Sequence, residues 1–358
     1  MIYVHVPLCQ RFCTYCDFYS EIHSEQKAAL WGEAVVAEIR RRSHEIDDSV
    51  KTLYFGGGTP SVLPLSILTR ILVTLDECGH GGPYTEFTLE ANPDDVVARG
   101  VGYVRSLLAL GMNRLSLGIQ SFDDGMLRWM NRRHDAEGAR EAVRIAREAG
   151  VRNLSIDLIF GISHLEESVW DATLEEAVAL RPEHISCYQL SVEGESALAR
   201  MVAEGKYKEA DEEQCRQQYD RLCERLGAAG YHHYEISNFA LPGYEAVHNS
   251  GYWQRAPYVG FGPSAHSFNG RNRSWNESVL TGYTSTEEIL SEEDTLVETV
   301  MLSLRRDSGI DAETLHGICN EKAIGKLVAE GALLRQGERY RIPEDHFFVS
   351  DEIIRELI

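Results

Sequence analysis

Arg114-Leu115-Ser116-Leu117-Gly118-Ile119-Gln120 is the stretch whose alternation decides the fold. Side chains alternate across a strand, so Leu115, Leu117 and Ile119 share one face while Ser116, Gly118 and Gln120 share the other. Phe87, Leu89 and Ala91 likewise oppose Thr88, Glu90 and Asn92, and Leu154, Ile156 and Leu158 oppose Ser155, Asp157 and Ile159. A parallel sheet buried on both faces would read as continuous apolar runs. Here each strand carries a polar residue near its C-terminal end, as expected of side chains that converge at the mouth of a barrel. Strands are predicted at 2–6, 51–55, 85–91, 113–119, 153–160 and 184–190, with helices near 25–43, 62–77, 95–110, 136–149 and 166–180. Six βα units in a row predict the α/β class, and the parity selects a partial (β/α)6 barrel over an open doubly wound sheet.

The pattern changes after about residue 191. A charged helix is predicted over 206–229, then an irregular aromatic, His-rich and Gly-rich segment from Tyr231 to Asn276. Helices, a hairpin from Ala332 to Arg341 and a last helix follow, an α+β order similar to a winged helix. The expected parts are a main domain over 1–200, the aromatic segment within 201–284, and a C-terminal domain over 285–358.

The 358 residues carry a net charge of −21, which repels polyphosphate backbones and makes nucleic acid a poor partner. The run Arg40-Arg41-Arg42 reads as the solvated end of a helix. Eight cysteines with no even framework fit a reducing cytoplasm. The first residues already read as a strand, so no secretory leader is expected, and no apolar run reaches the roughly 18 residues of a membrane span.

Cys9, Cys13 and Cys16 stand four and then three apart in a loop after the first strand, interleaved with Phe12, Tyr15 and Phe18. Their spacing would also suit a buried helical stripe, but Pro7, Gln10 and Arg11 oppose that. A structural zinc takes four ligands, with only His5 and Asp17 nearby to complete the set. A disulfide would strand one thiol. Three thiolates in so short a loop suit three irons of a cubane cluster, leaving the fourth iron open. Gly56-Gly57-Gly58-Thr59-Pro60 follows the second strand, where bare backbone could approach a ligand; taken alone, such a turn is as often merely tight. Glu90, Gln120 and Asp157, at matched strand ends, are better explained by one shared polar ligand than by three separate caps. Gly260-x-Gly262-x-x-Ala265 mimics a dinucleotide fingerprint but opens no βαβ unit. His248-Asn249-x-x-Tyr252-Trp253 lies among aromatics and further histidines, His232, His233 and His266, a setting that suits a flat apolar ligand carrying a metal.

The loop Cys9-x-x-x-Cys13-x-x-Cys16 resembles the signature of the radical S-adenosylmethionine (SAM) superfamily. With Tyr3 to Cys9, Cys16-Asp17-Phe18, Gly56 to Ser61, Leu89 to Pro93, Gly118 to Phe122, Asp157 to Gly161, Tyr234 to Phe239 and the His248 motif, the chain resembles the HemW haem chaperones. These are kin of the oxygen-independent coproporphyrinogen III dehydrogenase HemN. The resemblance implies a [4Fe–4S] cluster on Cys9, Cys13 and Cys16, with SAM at the open iron. It also implies SAM contacts from Tyr3, Tyr15, Gly57, Gly58, Thr59, Glu90, Gln120, Arg132, Asp157 and Ser191. Tyr15 would pack the adenine and Arg132 would pair with the SAM carboxylate, although on residues alone Arg132 reads nearly as well as a solvated helix end. Haem would be the cargo, with His248 its candidate ligand.

HemN carries a fourth cysteine where this chain has Phe18, and an N-terminal extension where this chain is expected to begin its first strand at Ile2. Both differences favour a chaperone over the alternative, a porphyrinogen-oxidising enzyme. The chain departs from the HemW pattern at Ser163 and at Pro263-Ser264. The resemblance further implies acceptor haemoproteins, respiratory ones among them, and an electron donor for the cluster. It leaves room for a homodimer and for peripheral membrane contact.

Overall fold

The computed structural model describes residues 1–47, 49–194 and 196–358. Six parallel strands, β1 (Ile2–Val6), β2 (Thr52–Gly57), β3 (Glu86–Ala91), β4 (Arg114–Gln120), β5 (Leu154–Phe160) and β6 (His184–Gln189), lie side by side in chain order. Helices α1 (Glu25–Arg42), α2 (Leu65–Glu77), α3 (Pro93–Ala109), α4 (Asp124–Trp129), α5 (Ala136–Ala149) and α6 (Glu167–Ala179) lie between them. Local chemistry sets several helix ends. The Ser24 and Asp135 side chains accept from the N–H groups of Lys27 and Gly138, and Gly150 closes α5 at a left-handed φ of 106°. The core lies on the outer face of the sheet. Ile2, Val4, Leu53, Phe55, Leu89, Leu115, Leu117 and Ile156 are wholly buried there, each contributing roughly 1.5–3 kcal/mol. The alternation predicted from sequence is the alternation found.

Three strands of the main sheet were not expected. Among the described residues the main sheet has nine strands: β7 (His232–Glu235) lies antiparallel beside β8 (Asn238–Ala240), β8 antiparallel beside β6, and β9 (Val259–Phe261) parallel beside β1. These segments run three to four residues without a β-branched run, so they read as irregular in sequence. A separate antiparallel sheet joins β10 (His266–Phe268), β11 (Asn272–Asn276) and β12 (Ser285–Ile289). It straddles the boundary expected between residues 284 and 285, because β12 pairs with β11. The charged helix begins later than predicted, at Glu212, where the Asp211 side chain caps it. Beyond it, the expected order of helices and a hairpin is present: Glu292–Leu304, Ala312–Ile318 and Glu321–Ala329, then Leu334–Gln336 paired with Arg339–Arg341, which also pairs with Ile310–Asp311.

The Arg40–Arg42 run is only partly a solvated helix end, for Arg42 is buried. Its guanidinium donates to Glu38 at 2.7 Å, to the Gly260 carbonyl at 2.9 Å and to Ser267 at 3.1 Å. Glu38, on the same helix, accepts from Gly262 N, Asn276 and Tyr283 at 2.7–2.9 Å. One buried ion pair thus pins the 260–283 segment onto α1, and the false dinucleotide fingerprint is part of that packing. A Cβ at Gly260 would stand 2.1 Å from the His266 carbonyl oxygen. Glu38→Ala should destabilise the protein by about 3–5 kcal/mol, since it removes one of the two carboxylates on buried Arg42, Glu45 supplying the other, and takes the shared acceptor from Gly262 N, Asn276 and Tyr283. A thermal melt within a degree of the wild type would contradict this.

Candidate functional site

The cysteine loop is closed at its base and held from above. Leu8–Cys9 pairs in parallel with Glu21–Ile22. Thr14 donates through its backbone to the Met130 carbonyl at 3.0 Å and through its hydroxyl to the Trp129 carbonyl at 2.8 Å. Cys9 Sγ accepts from the Thr59 hydroxyl at 3.4 Å, and Cys13 Sγ from Arg132 Nη1 at 3.3 Å. Burial pushes the Cys9 thiol up and the Cys16 thiol up to about 11. Both stay protonated until a cation displaces the proton. Among the described residues no three His, Cys, Asp or Glu side chains form a group able to hold a single ion. The three thiols instead face one cavity, and a cubane presents each of its thiolates to a different iron. The donor set fits such a cluster.

That cavity, of about 770 Å³, is lined by Cys9, Cys13 and Cys16 together with Tyr15, Gly57, Gly58, Thr59, Glu90, Gln120, Arg132, Asp157 and Ser191. Every expected SAM contact except Tyr3 therefore meets the three sulfurs. Tyr3 instead lines a neighbouring cavity, with its hydroxyl 3.0 Å from His5 Nδ1. Arg132 is no solvated helix end. Its Nη2 donates to the Asn92 side chain at 2.6 Å and to the Gly118 carbonyl, while its Nε is buried without a partner among the described residues. Gln120 takes a left-handed φ of 71° where the β4–β5 register shifts, which places a strained residue on the cavity wall.

The glycine turn behaves differently from expectation. The Gly57 and Gly58 N–H groups are not bare: they donate to Glu90 at 3.1 Å and to the Val6 carbonyl at 2.7 Å. What requires glycine is space. A Cβ at Gly57 would lie 2.6 Å from the His5 ring, at a φ of 105°, and one at Gly58 would lie 2.9 Å from Cys9 Sγ. Glu90 also accepts from the Tyr54 hydroxyl at 2.7 Å. Burial raises Glu90 to about 7 and Asp157 to about 6, the latter against the pull of Arg114. Two carboxyl groups poised near neutrality around an otherwise polar cavity suit a cationic ligand.

His248 is not presented to this cavity. It is buried, with Nδ1 2.8 Å from the Thr52 hydroxyl and Nε2 2.8 Å from the Tyr252 hydroxyl. Its short helix α9, which follows α7 (Ala197–Ala203) and α8 (Glu212–Ala228), spans Val247–Trp253. Glu86 accepts the backbone N–H groups of Val247 and His248 at 2.7 and 3.1 Å. Thr52 and Glu86 open β2 and β3, so α9 packs at the strand ends opposite Glu90 and Gln120. Both ring nitrogens are committed to the interior, and burial lowers the imidazole to about 3. The expected haem ligand is therefore closed in this structure. His232 and His233 also point elsewhere: His232 sits 2.9 Å from Asp307, and His233 stacks on Phe239 at 4.0 Å.

Sequence reasoning missed Tyr54, Asn92, Arg114, Tyr188 and Asn249, all on the cavity wall. The first four follow from parity. Tyr54 shares a face with Gly56, Asn92 with Glu90, Arg114 with Ser116 and Tyr188 with Ser186. Asn249 carried no such signal.

Residues 3–177 match the radical SAM superfamily. The heme chaperone HemW of Synechocystis sp. is 34% identical over 91% of this chain and 82% of its own length. That of Lactococcus lactis subsp. lactis is 31% identical over 92% and 88%. Coproporphyrinogen III oxidase (HemN) from Escherichia coli, a radical SAM enzyme, has the same fold, with a TM-score of 0.83 over 99% of this chain and 89% of its own at 21% identity. With the three-cysteine loop at the mouth of the barrel and this identity over nearly the whole chain, the protein belongs to the HemW family of radical SAM proteins.

Proposed function

We propose that the protein binds a [4Fe–4S] cluster, SAM and haem, and hands the haem to acceptor haemoproteins. The observation that carries this reading is the convergence of Cys9, Cys13 and Cys16 with the expected SAM contacts on one cavity. When bound, the cluster would supply one-electron chemistry next to SAM. The protein's own part is to hold and orient. Cys9, Cys13 and Cys16 would carry the cluster, and Arg132 Nη1, already beside Cys13, would balance thiolate charge. Ionised Glu90 and Asp157 would receive the positive groups of SAM, with Tyr15 and Ser191 along its length. Arg114, between the two carboxylates, would keep them from repelling each other when both are ionised.

Haem as cargo rests on the names of the relatives, heme chaperones in both cases. We place the protein in the cytoplasm, with an electron donor for its cluster and haemoproteins as recipients. Among the described residues no helix is long and apolar enough to cross a membrane. Two anaerobic incubations test the reading. Haem-loaded protein mixed with an apo-haemoprotein should pass its Soret band to the acceptor. Cluster-loaded protein given SAM and coproporphyrinogen III should form no protoporphyrinogen; product over many turnovers would replace the chaperone with a HemN-type oxidoreductase.

A further inference from the structure

A second cavity, of about 680 Å³, adjoins the first and shares with it the wall formed by Asp17 and Phe18. Tyr252, Tyr258 and Phe268 give it flat apolar sides: Tyr252 meets Tyr258 edge-on at 4.8 Å, and Tyr258 lies 6.4 Å from Phe268. A cavity of this size with aromatic walls suits a rigid, planar ligand.

Its lining sets two guanidinium groups, Arg255 and Arg273, against two carboxylates, Glu298 and the Asp17 of the shared wall. Arg255 and Arg273 both pair with the single carboxylate of Glu298. Asp17 pairs with neither of them among the described residues, so two guanidinium groups share one carboxylate. Arg255 Nη2 is buried with no hydrogen-bond partner among the described residues. The same residue sits at a left-handed φ of 54°, which a non-glycine side chain adopts at a cost. Burial, and then repulsion from Arg273, lowers its pKa. A strained, under-partnered cation in a protein of net charge −21 is relieved by an anion.

The cavity also carries an uncommitted histidine. His266 is exposed on its wall and stacks on Trp275 at 6.1 Å. Its ring nitrogens make no hydrogen bond among the described residues, and partial desolvation of the ring against the wall, then Arg273, favour the neutral imidazole that binds iron. His248, by contrast, has both nitrogens engaged.

We propose that this cavity is the haem site, with His266 ligating the iron, Arg255 and Arg273 receiving the two propionates, and Tyr252, Tyr258 and Phe268 flanking the ring. The assignment rests on the haem-chaperone reading and moves the ligand away from His248. His248 is then a positioning residue, whose hydrogen bond to the Tyr252 hydroxyl fixes one wall.

Haemin titrations of the full-length, cluster-loaded protein test this, read by the Soret band and, after chemical reduction to ferrous haem, by the iron–imidazole stretch in resonance Raman spectra. His266→Ala should lose the imidazole signature and bind haemin about tenfold or more weakly, with cluster absorbance intact. Arg255→Gln with Arg273→Gln should weaken haemin binding by about tenfold yet leave haemin dimethyl ester unaffected, because only the diacid meets the guanidinium groups. His248→Gln should keep the imidazole signature. Retention of that signature and wild-type affinity in His266→Ala, or loss of the signature in His248→Gln alone, overturns the assignment while leaving haem as cargo. A wild-type protein that takes up no haemin overturns the chaperone reading itself.

Discussion

Cys16→Ser protein, reconstituted with iron and sulfide in the absence of oxygen, is expected to emerge colourless, its iron content falling from about four per chain to near zero. The size of the effect follows from the site. Cys16 lines the cavity shared with Cys9 and Cys13, and these three sulfurs are the only cysteine sulfurs there among the described residues. Cys78, Cys187, Cys215, Cys223 and Cys319 lie elsewhere, so no thiol is at hand to replace a lost ligand. Burial already opposes ionisation of Cys9 and Cys16. Metal binding must therefore displace protons from thiols that hold them tightly, and only the full set of sulfur–iron bonds offsets that. Cys78→Ser, at the end of α2, is the matched control and should remain brown with full iron. A Cys16→Ser protein that keeps its colour and iron would show that the cluster is held elsewhere. The fold should be indifferent, because the loop is tied by Leu8–Cys9 to Glu21–Ile22 and by Thr14 to Met130, bonds that do not involve the Cys16 sulfur.

The barrel was legible because burial imposes a period of two on every strand. Leu115, Leu117 and Ile119 can only face the helices, and Ser116, Gly118 and Gln120 can only face the lumen. The same parity located Glu90 and Asp157, and carried two residues back from Ser116 it would have located Arg114. What the sequence did not disclose were contacts made across long separations by residues with no periodic signature. Glu38 and Arg42 look like an ordinary surface pair on α1, four residues apart, and nothing local indicates that Gly262, Asn276 and Tyr283 will enclose them. The surroundings of His248 were hidden for the same reason. A histidine beside Tyr252 and Trp253 reads as a ligand, but whether its ring is free depends on Thr52, nearly two hundred residues away. Strands β7, β8 and β9 were missed because each is fixed by its neighbour in the sheet and not by its own composition.

Glu90→Gln should weaken SAM binding by roughly 10- to 100-fold, the worth of a charge-assisted contact, and at the same time make the ligand-free protein more stable above about pH 7. The two effects share one cause. Burial raises Glu90 from an ordinary 4.5 to about 7, so the folded protein holds a proton there that the unfolded chain has released. The native state is favoured by that proton below about pH 4.5, and the advantage drains away as the pH rises through 7. Above that pH the folded protein carries a buried carboxylate, a penalty of at most about 3 kcal/mol, which the neutral amide does not incur. Part of the gain is lost because glutamine cannot accept from both the Tyr54 hydroxyl and Gly57 N as Glu90 does. A rise in Tm of about 2–5 °C is expected at about pH 8, with no difference at about pH 4. Wild-type affinity for SAM should itself climb between about pH 5.5 and about pH 8, first as Asp157 ionises near 6 and then as Glu90 follows near 7; the variant should keep only the lower step. Calorimetric SAM titrations and thermal melts across that range decide the matter. An unchanged affinity in the variant would remove Glu90 from the SAM site, and a lower Tm at about pH 8 would mean that its two hydrogen bonds outweigh the cost of its buried charge.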